Sequence, residues 1–142
     1  MMELVIVMLI LSILAAVAAP RYSAAQIRYQ TLATTKRIIT DLQWAQRNAK
    51  ASSATQDVVF SVENNSYTLT GMKALNRSQL EYQINLGSPN MLCTLVSADF
   101  GVSHTISFDI YGRPVRGGKI VFESGKERFT ILVDESGTIS TI

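Results

Sequence analysis

Glu3 is the residue of this sequence with the most unusual surroundings. It precedes sixteen residues without a formal charge, Leu4 to Ala19, which Pro20-Arg21 closes. A carboxylate drawn to the middle of a bilayer costs about 2.5–3.5 kcal/mol, so an acid here needs water, headgroups or a cationic partner. The other chemistry-bearing residues are scattered. His104 is the single histidine, and its neighbour Ser103 makes no triad, which is a spatial arrangement. Cys93 is the single cysteine, which excludes an intrachain disulfide; within Met91–Val96 it reads as a small buried hydrophobe. Asp134-Glu135 is a carboxylate pair in an ordinary turn. No His, Cys and acid residues have the spacing of a metal site, and no Gly-rich loop opens a helix to cradle phosphate. The sequence therefore predicts no catalytic residues, no metal and no cofactor. Arg113, Arg116 and Lys119, three bases within seven residues, are a candidate anion or DNA contact. The competing structural reading makes Gly112 and Pro114 the turn-forming residues of an ordinary loop. The sequons Asn64-Asn65-Ser66 and Asn76-Arg77-Ser78 fit surface loops.

These residues have to be positioned by a stem and a head. Read as a helix, Leu4–Ala19 rises ~24 Å at 1.5 Å per residue, slightly short of a ~30 Å hydrocarbon core, and Met1 and Met2 extend it. Residues 1–24 are accordingly expected to form a hydrophobic transmembrane or helix-bundle segment. A secretory signal is a competing reading, because Ala16-Val17-Ala18 resembles a cleavage site, but the only charge ahead of the run is negative. Over residues 25–53 the apolar positions Ile38, Leu42, Ala45 and Ala49 step by four, three and four, with Leu32 and Ala25 continuing the stripe upstream. This predicts an amphipathic helix packed on the head, with Trp44 beside the stripe covering the core. Pro20 is expected to kink or loosen the helix near Ala16–Ala19. Continuous to Ser53, the helix would span ~75–80 Å, too long for so small a head to cover.

After Ser53 the period changes to two. Val58, Phe60 and Val62, then Tyr67 and Leu69, flank the turn residues Asn64-Asn65 and predict a hairpin. Leu80–Leu86 predicts a third strand and Leu92–Val96 a further one. Thr105–Asp109, Lys119–Glu123, Phe129–Val133 and Thr138–Ile142 complete a β-rich head over residues 54–142. Short strands and tight turns favour one antiparallel sheet with a face buried on the helix, an α+β fold. The chain of 142 residues carries a net charge of +2, unevenly spread. Residues 21–50 hold six bases against Asp41, and residues 51–142 hold seven bases against nine acids.

The succession of an acid, an unbroken aliphatic run and Ala-Ala-Val-Ala-Ala-Pro-Arg-Tyr resembles the N-terminal helix of type IV pilins and of type II secretion pseudopilins. The segment Asp41–Lys50 followed by Gln56–Phe60, and the tail Ile106–Pro114, Arg128–Val133 and Gly137–Ile139, resemble the GspH/FimT-like branch. The resemblance implies a pilin-like fold and a filament subunit rather than an enzyme. It implies storage in the inner membrane, with the head on the periplasmic side, and then polymerisation into a periplasmic or extracellular filament. In that family a prepilin peptidase removes a leader and the new N-terminus is methylated; the family glutamate is the fifth mature residue, which places two further residues, a Phe-Thr pair, ahead of this chain. The implied partners are copies of the chain, other pilin-like subunits and an inner-membrane assembly platform. The implied assembly residues are Glu3, Leu4, Val5, Ile6, Val7, Leu9, Ile10, Leu11, Ile13, Leu14 and Pro20, with Glu3 meeting the positive N-terminus of a neighbour. Three readings stay open: a repeating filament subunit, a minor tip or initiating pseudopilin, and a membrane-tethered binding domain. A DNA-uptake role is disfavoured, because the last nine residues hold two acids and no base.

Overall fold

The computed structural model describes residues 2–74, 77–125 and 127–142, except for the side chains of residues 18–21, 23, 24, 74 and 77–80. One helix, α1 (Met2–Ser52, 51 residues), occupies the first third of the chain and is about 76 Å long at 1.5 Å per residue. It runs through Pro20 as one helix. Proline removes a single N–H from the ladder, and the turns on either side keep their own bonds. The helix ends where the period change predicts. Ser53 takes φ 49° and the Ala54 N–H reaches back to the Ala49 carbonyl at 3.3 Å, a left-handed cap that satisfies one orphan carbonyl.

Eight strands follow: β1 (Gln56–Ser61), β2 (Ser66–Ala74), β3 (Arg77–Asn85), β4 (Thr94–Asp99), β5 (Thr105–Phe108), β6 (Gly118–Ser124), β7 (Glu127–Val133) and β8 (Ile139–Thr141). Every strand read from the alternation is present. The arrangement differs from the single sheet expected, because the strands divide into two antiparallel sheets of order β3-β2-β1-β5 and β4-β6-β7-β8. The four-residue β5 pairs with β1 (Val58 opposite Ile106), whereas its sequence neighbours β4 and β6 pair with each other (Ala98 opposite Ile120). The chain thus crosses from one sheet to the other and back. Alternation reveals which face of a strand is apolar but not which partner the strand takes.

Both sheets close on the same stripe of α1. Ile38, Leu42, Ala45 and Ala49 are buried, and meet Val58, Phe60, Tyr67, Leu69, Ile106 and Phe108 of the first sheet and Leu95, Ile120, Phe122 and Ile131 of the second. The small Ala45 and Ala49 let the sheets approach the helix backbone, and Trp44 packs on the core margin as expected. Upstream the stripe departs from expectation. Leu32 and Ala25 are exposed, and Thr31, Thr34 and Thr35 are buried in their place. The buried positions 31, 35, 38, 42, 45 and 49 step alternately by four and three, so a threonine stands wherever the upper head meets the helix. Each hydroxyl donates back along the helix, Thr31 to the Ile27 carbonyl (2.8 Å), Thr34 to Gln30 (2.9 Å) and Thr35 to Thr31 (2.9 Å), so its burial strands no polar group.

Asn65 fastens the two sheets together. It sits at φ 48° in the β1–β2 turn, donates its amide to the Cys93 carbonyl at 2.8 Å and accepts the Leu95 N–H at 2.7 Å. Its own carbonyl accepts the Leu86 N–H at 2.9 Å. One side chain therefore pairs with the backbone around β4 as a strand would.

Candidate assembly surface

The apolar start of α1 has no cover in this chain. From Leu4 to Leu14 the described side chains are exposed on every side of the helix; Leu4 is 66% and Ile10 53% accessible. A helix that is hydrophobic all round has no face suited to water and is normally enclosed by lipid or protein. Leu4, Val5, Ile6, Val7, Leu9, Ile10, Leu11, Ile13 and Leu14 all lie on this bare stretch. Pro20 belongs to the same helix, and its side chain lies outside the described residues. Among the described residues no helix is long and apolar enough to cross a membrane. The described apolar side chains run from Met2 to Val17, a rise of about 24 Å against the ~30 Å of a hydrocarbon core.

Glu3 occupies the first turn of α1, where the helix dipole favours a negative charge, and is exposed. Among the described residues the single ion pair is Arg128–Glu123 on the head, and no described cation pairs with Glu3. Tyr22 and Tyr29, 73% and 74% accessible, carry the uncovered surface down to the head.

The head grips the lower stem by three polar clasps that sequence reasoning missed. Gln46 donates to the Gly137 carbonyl at 2.9 Å and ties α1 to the β7–β8 turn. Asn48 donates to Gln56 at 2.8 Å, and Gln56 in turn donates to the Thr70 carbonyl at 2.6 Å. Asp41 is buried and accepts the hydroxyls of Tyr67 (2.5 Å) and Tyr82 (3.2 Å). Gly112, with φ +70°, lets the β5–β6 loop lie on the helix, where a Cβ would stand 2.9 Å from the Gln46 carbonyl oxygen. Polar side chains at core positions look like a solvated face in sequence; the signal available was their step of three or four from the apolar stripe.

The three candidate contact bases are exposed but serve different places. Arg113 lies in the β5–β6 loop, whose turn is fixed by the Asp109 carboxylate accepting the N–H groups of Tyr111 (2.9 Å) and Arg113 (2.7 Å). Arg116 lies against Gly101 in the β4–β5 loop, and Lys119 stands opposite Asp99 in the β4–β6 register. An acid beside two of the three bases lowers their value for a polyanion, and the loop geometry favours the structural reading. His104 is exposed, with Nδ1 2.6 Å from the Ala98 carbonyl, and Cys93 is buried and free. Among the described residues no three His, Cys, Asp or Glu side chains gather as a metal site. The sequon residue Asn64 is exposed in the β1–β2 turn, and Asn76 lies outside the described residues.

The fold of this chain is shared with solved structures. The type IV minor pilin FimU of Pseudomonas aeruginosa (strain PAO1), in its P21 crystal form, superposes with a TM-score of 0.61 over 81% of this chain and 90% of that one. The chain has the type IV pilin fold. The P65 crystal form of FimU matches at a TM-score of 0.55, covering 78% of this chain and 91% of that one. Sequence identity is 11% and 10% in the two comparisons, so the pilin likeness resides in the backbone. No family model and no curated protein matches the sequence. The pilin architecture implied by the N-terminal residues is therefore present.

Proposed function

We propose that this chain is a structural subunit of a type IV pilus-like filament, without catalytic activity. The observation that carries the reading is the apolar rod of α1, bare on all sides and continuous with a stem onto which the head is firmly packed. Before assembly the rod rests in the inner membrane, with Ala18 and Ala19 continuing its apolar run and Glu3 among the headgroups. An assembly platform then extracts it, after a prepilin peptidase has trimmed and methylated the N-terminus. In the filament Leu4, Val5, Ile6, Val7, Leu9, Ile10, Leu11, Ile13, Leu14 and Pro20 exchange lipid for the rods of other subunits, by close van der Waals packing rather than by a further hydrophobic gain. Glu3 meets the N-terminal amine of a neighbour and so avoids an unpaired buried charge. The finished filament is extracellular, or periplasmic if it serves type II secretion.

A second reading makes the chain a minor, tip or initiating subunit rather than the bulk of the fibre, and the likeness to a minor pilin favours it. The GspH/FimT-like branch fits the same role. A DNA-uptake role is the least supported, given the dispersal of Arg113, Arg116 and Lys119. The test is Glu3→Ala in cells. The variant is expected in the membrane fraction in normal amount while filaments disappear or become rare; filaments of normal number and length would refute the assembly role of Glu3. Quantifying the chain in sheared fibres separates the readings, as either the main component or a few copies per fibre.

A further inference from the structure

The helix and the β2–β3 hairpin meet through one carboxylate. Asp41 of α1 is buried, and the Tyr67 hydroxyl of β2 donates to its Oδ2 at 2.5 Å. The Tyr82 hydroxyl of β3 lies 3.2 Å from Oδ2 and 3.3 Å from Oδ1. Arg37, one turn back on α1 and exposed, donates to the Tyr82 oxygen at 3.4 Å. Trp44, three residues beyond Asp41, sets its ring edge-on to Tyr82 with centroids 5.3 Å apart. Among the described residues, Tyr67, Tyr82 and Arg37 are the titratable and charged groups that face the carboxylate from α1, β2 and β3. We propose that Asp41, Tyr67 and Tyr82 form an acid-tightened latch, in which protonation of the carboxyl strengthens the seat of the β2–β3 hairpin on the stem.

The geometry supplies the mechanism. With Asp41 ionised, both phenols donate to it, and a charge sits beneath the hairpin with only an exposed guanidinium nearby. With Asp41 protonated, the carboxyl donates to one phenol oxygen and accepts from the other hydroxyl. The hydrogen bonds are kept while the buried charge is gone. Burial pushes the Asp41 carboxyl above its usual range, against the opposing pull of Tyr67, Tyr82 and Arg37. Burial, with Asp41 beside them, also raises both phenols, so they remain protonated partners. The folded chain then holds a proton at pH values where the unfolded chain has lost it. Stability is greatest at the acidic side of that window and falls as pH rises through it.

The experiment uses the full chain in detergent micelles. Unfolding constants of wild type and Asp41→Asn are compared at about pH 7.5 and about pH 4.5, where the neutral amide removes the titration. The wild type is expected to gain stability relative to the variant on acidification; parallel behaviour of the two overturns the latch. Should Asp41→Asn not fold, carbon-13 NMR of the wild-type Asp41 carboxyl decides. A midpoint above 3.8 is expected, rising further in Tyr67→Phe, and a midpoint at or below 3.8 overturns the proposal.

Discussion

Replacing Asn65 tests whether one side chain holds the two sheets together. Its amide and carbonyl make two hydrogen bonds, at 2.8 and 2.7 Å, to backbone groups of Cys93 and Leu95, residues that are both 1% accessible. Alanine strands both groups, and each buried orphan costs about 1–3 kcal/mol. The backbone at φ 48° adds a second term, because a left-handed residue with an unhelpful Cβ costs about 1–2 kcal/mol, which glycine escapes. Asn65→Ala should therefore lose about 3–8 kcal/mol, and Asn65→Gly about 1–2 kcal/mol less. In a head of this size each kcal/mol moves Tm by about 4–8 °C, so thermal melts of the full chain in detergent should place Asn65→Ala at least about 12 °C below wild type. An alanine variant within about 1 kcal/mol of wild type would refute the clamp. A glycine variant less stable than the alanine one would refute the backbone half of the reasoning.

Further expectations concern the head core and its thiol. Gly118→Ala should cost about 3 kcal/mol or more, because a Cβ there overlaps the Asp99 carbonyl and the Phe100 ring; urea titration reading less than about 1 kcal/mol would contradict this packing. Burial pushes the Cys93 thiol up, so thiolate is scarce in the folded chain. Alkylation of native protein should be slower than in urea and should still climb with pH beyond 9.0, where the unfolded chain levels off.

Much of this molecule was legible because local pattern and tertiary demand agree. The period-two runs around Val58, Tyr67, Ile120 and Ile131 became strands with those residues inside, and the four-three steps of Ile38 to Ala49 became the buried stripe. Asn64-Asn65 was readable as a turn, but not as a clamp, because its partners Cys93 and Leu95 lie about thirty residues away. The same distance hid the two-sheet division, which depends on whether β5 chooses β1 or β6. Leu32 misled because its apolarity outweighed register, whereas Thr31 and Thr35 are buried by register and spared its cost by bonding back along the helix. Asp41 drew no structural reading from sequence, because nothing local announces two distant phenols. At the candidate assembly surface, Glu3 and its aliphatic neighbours lie on one exposed stretch of helix, and a run apolar at every position needs no tertiary information to be recognised.

The weaving of β5 into one sheet between two strands of the other sets the order in which the head can close. The first sheet is complete when the chain returns to it with β5, but β4 waits for β6, so the second sheet is finished only by the last residues of the chain. Ribosomal release therefore precedes a competent head, and a chain clipped before β6 would be left with β4 unpartnered and its edge open.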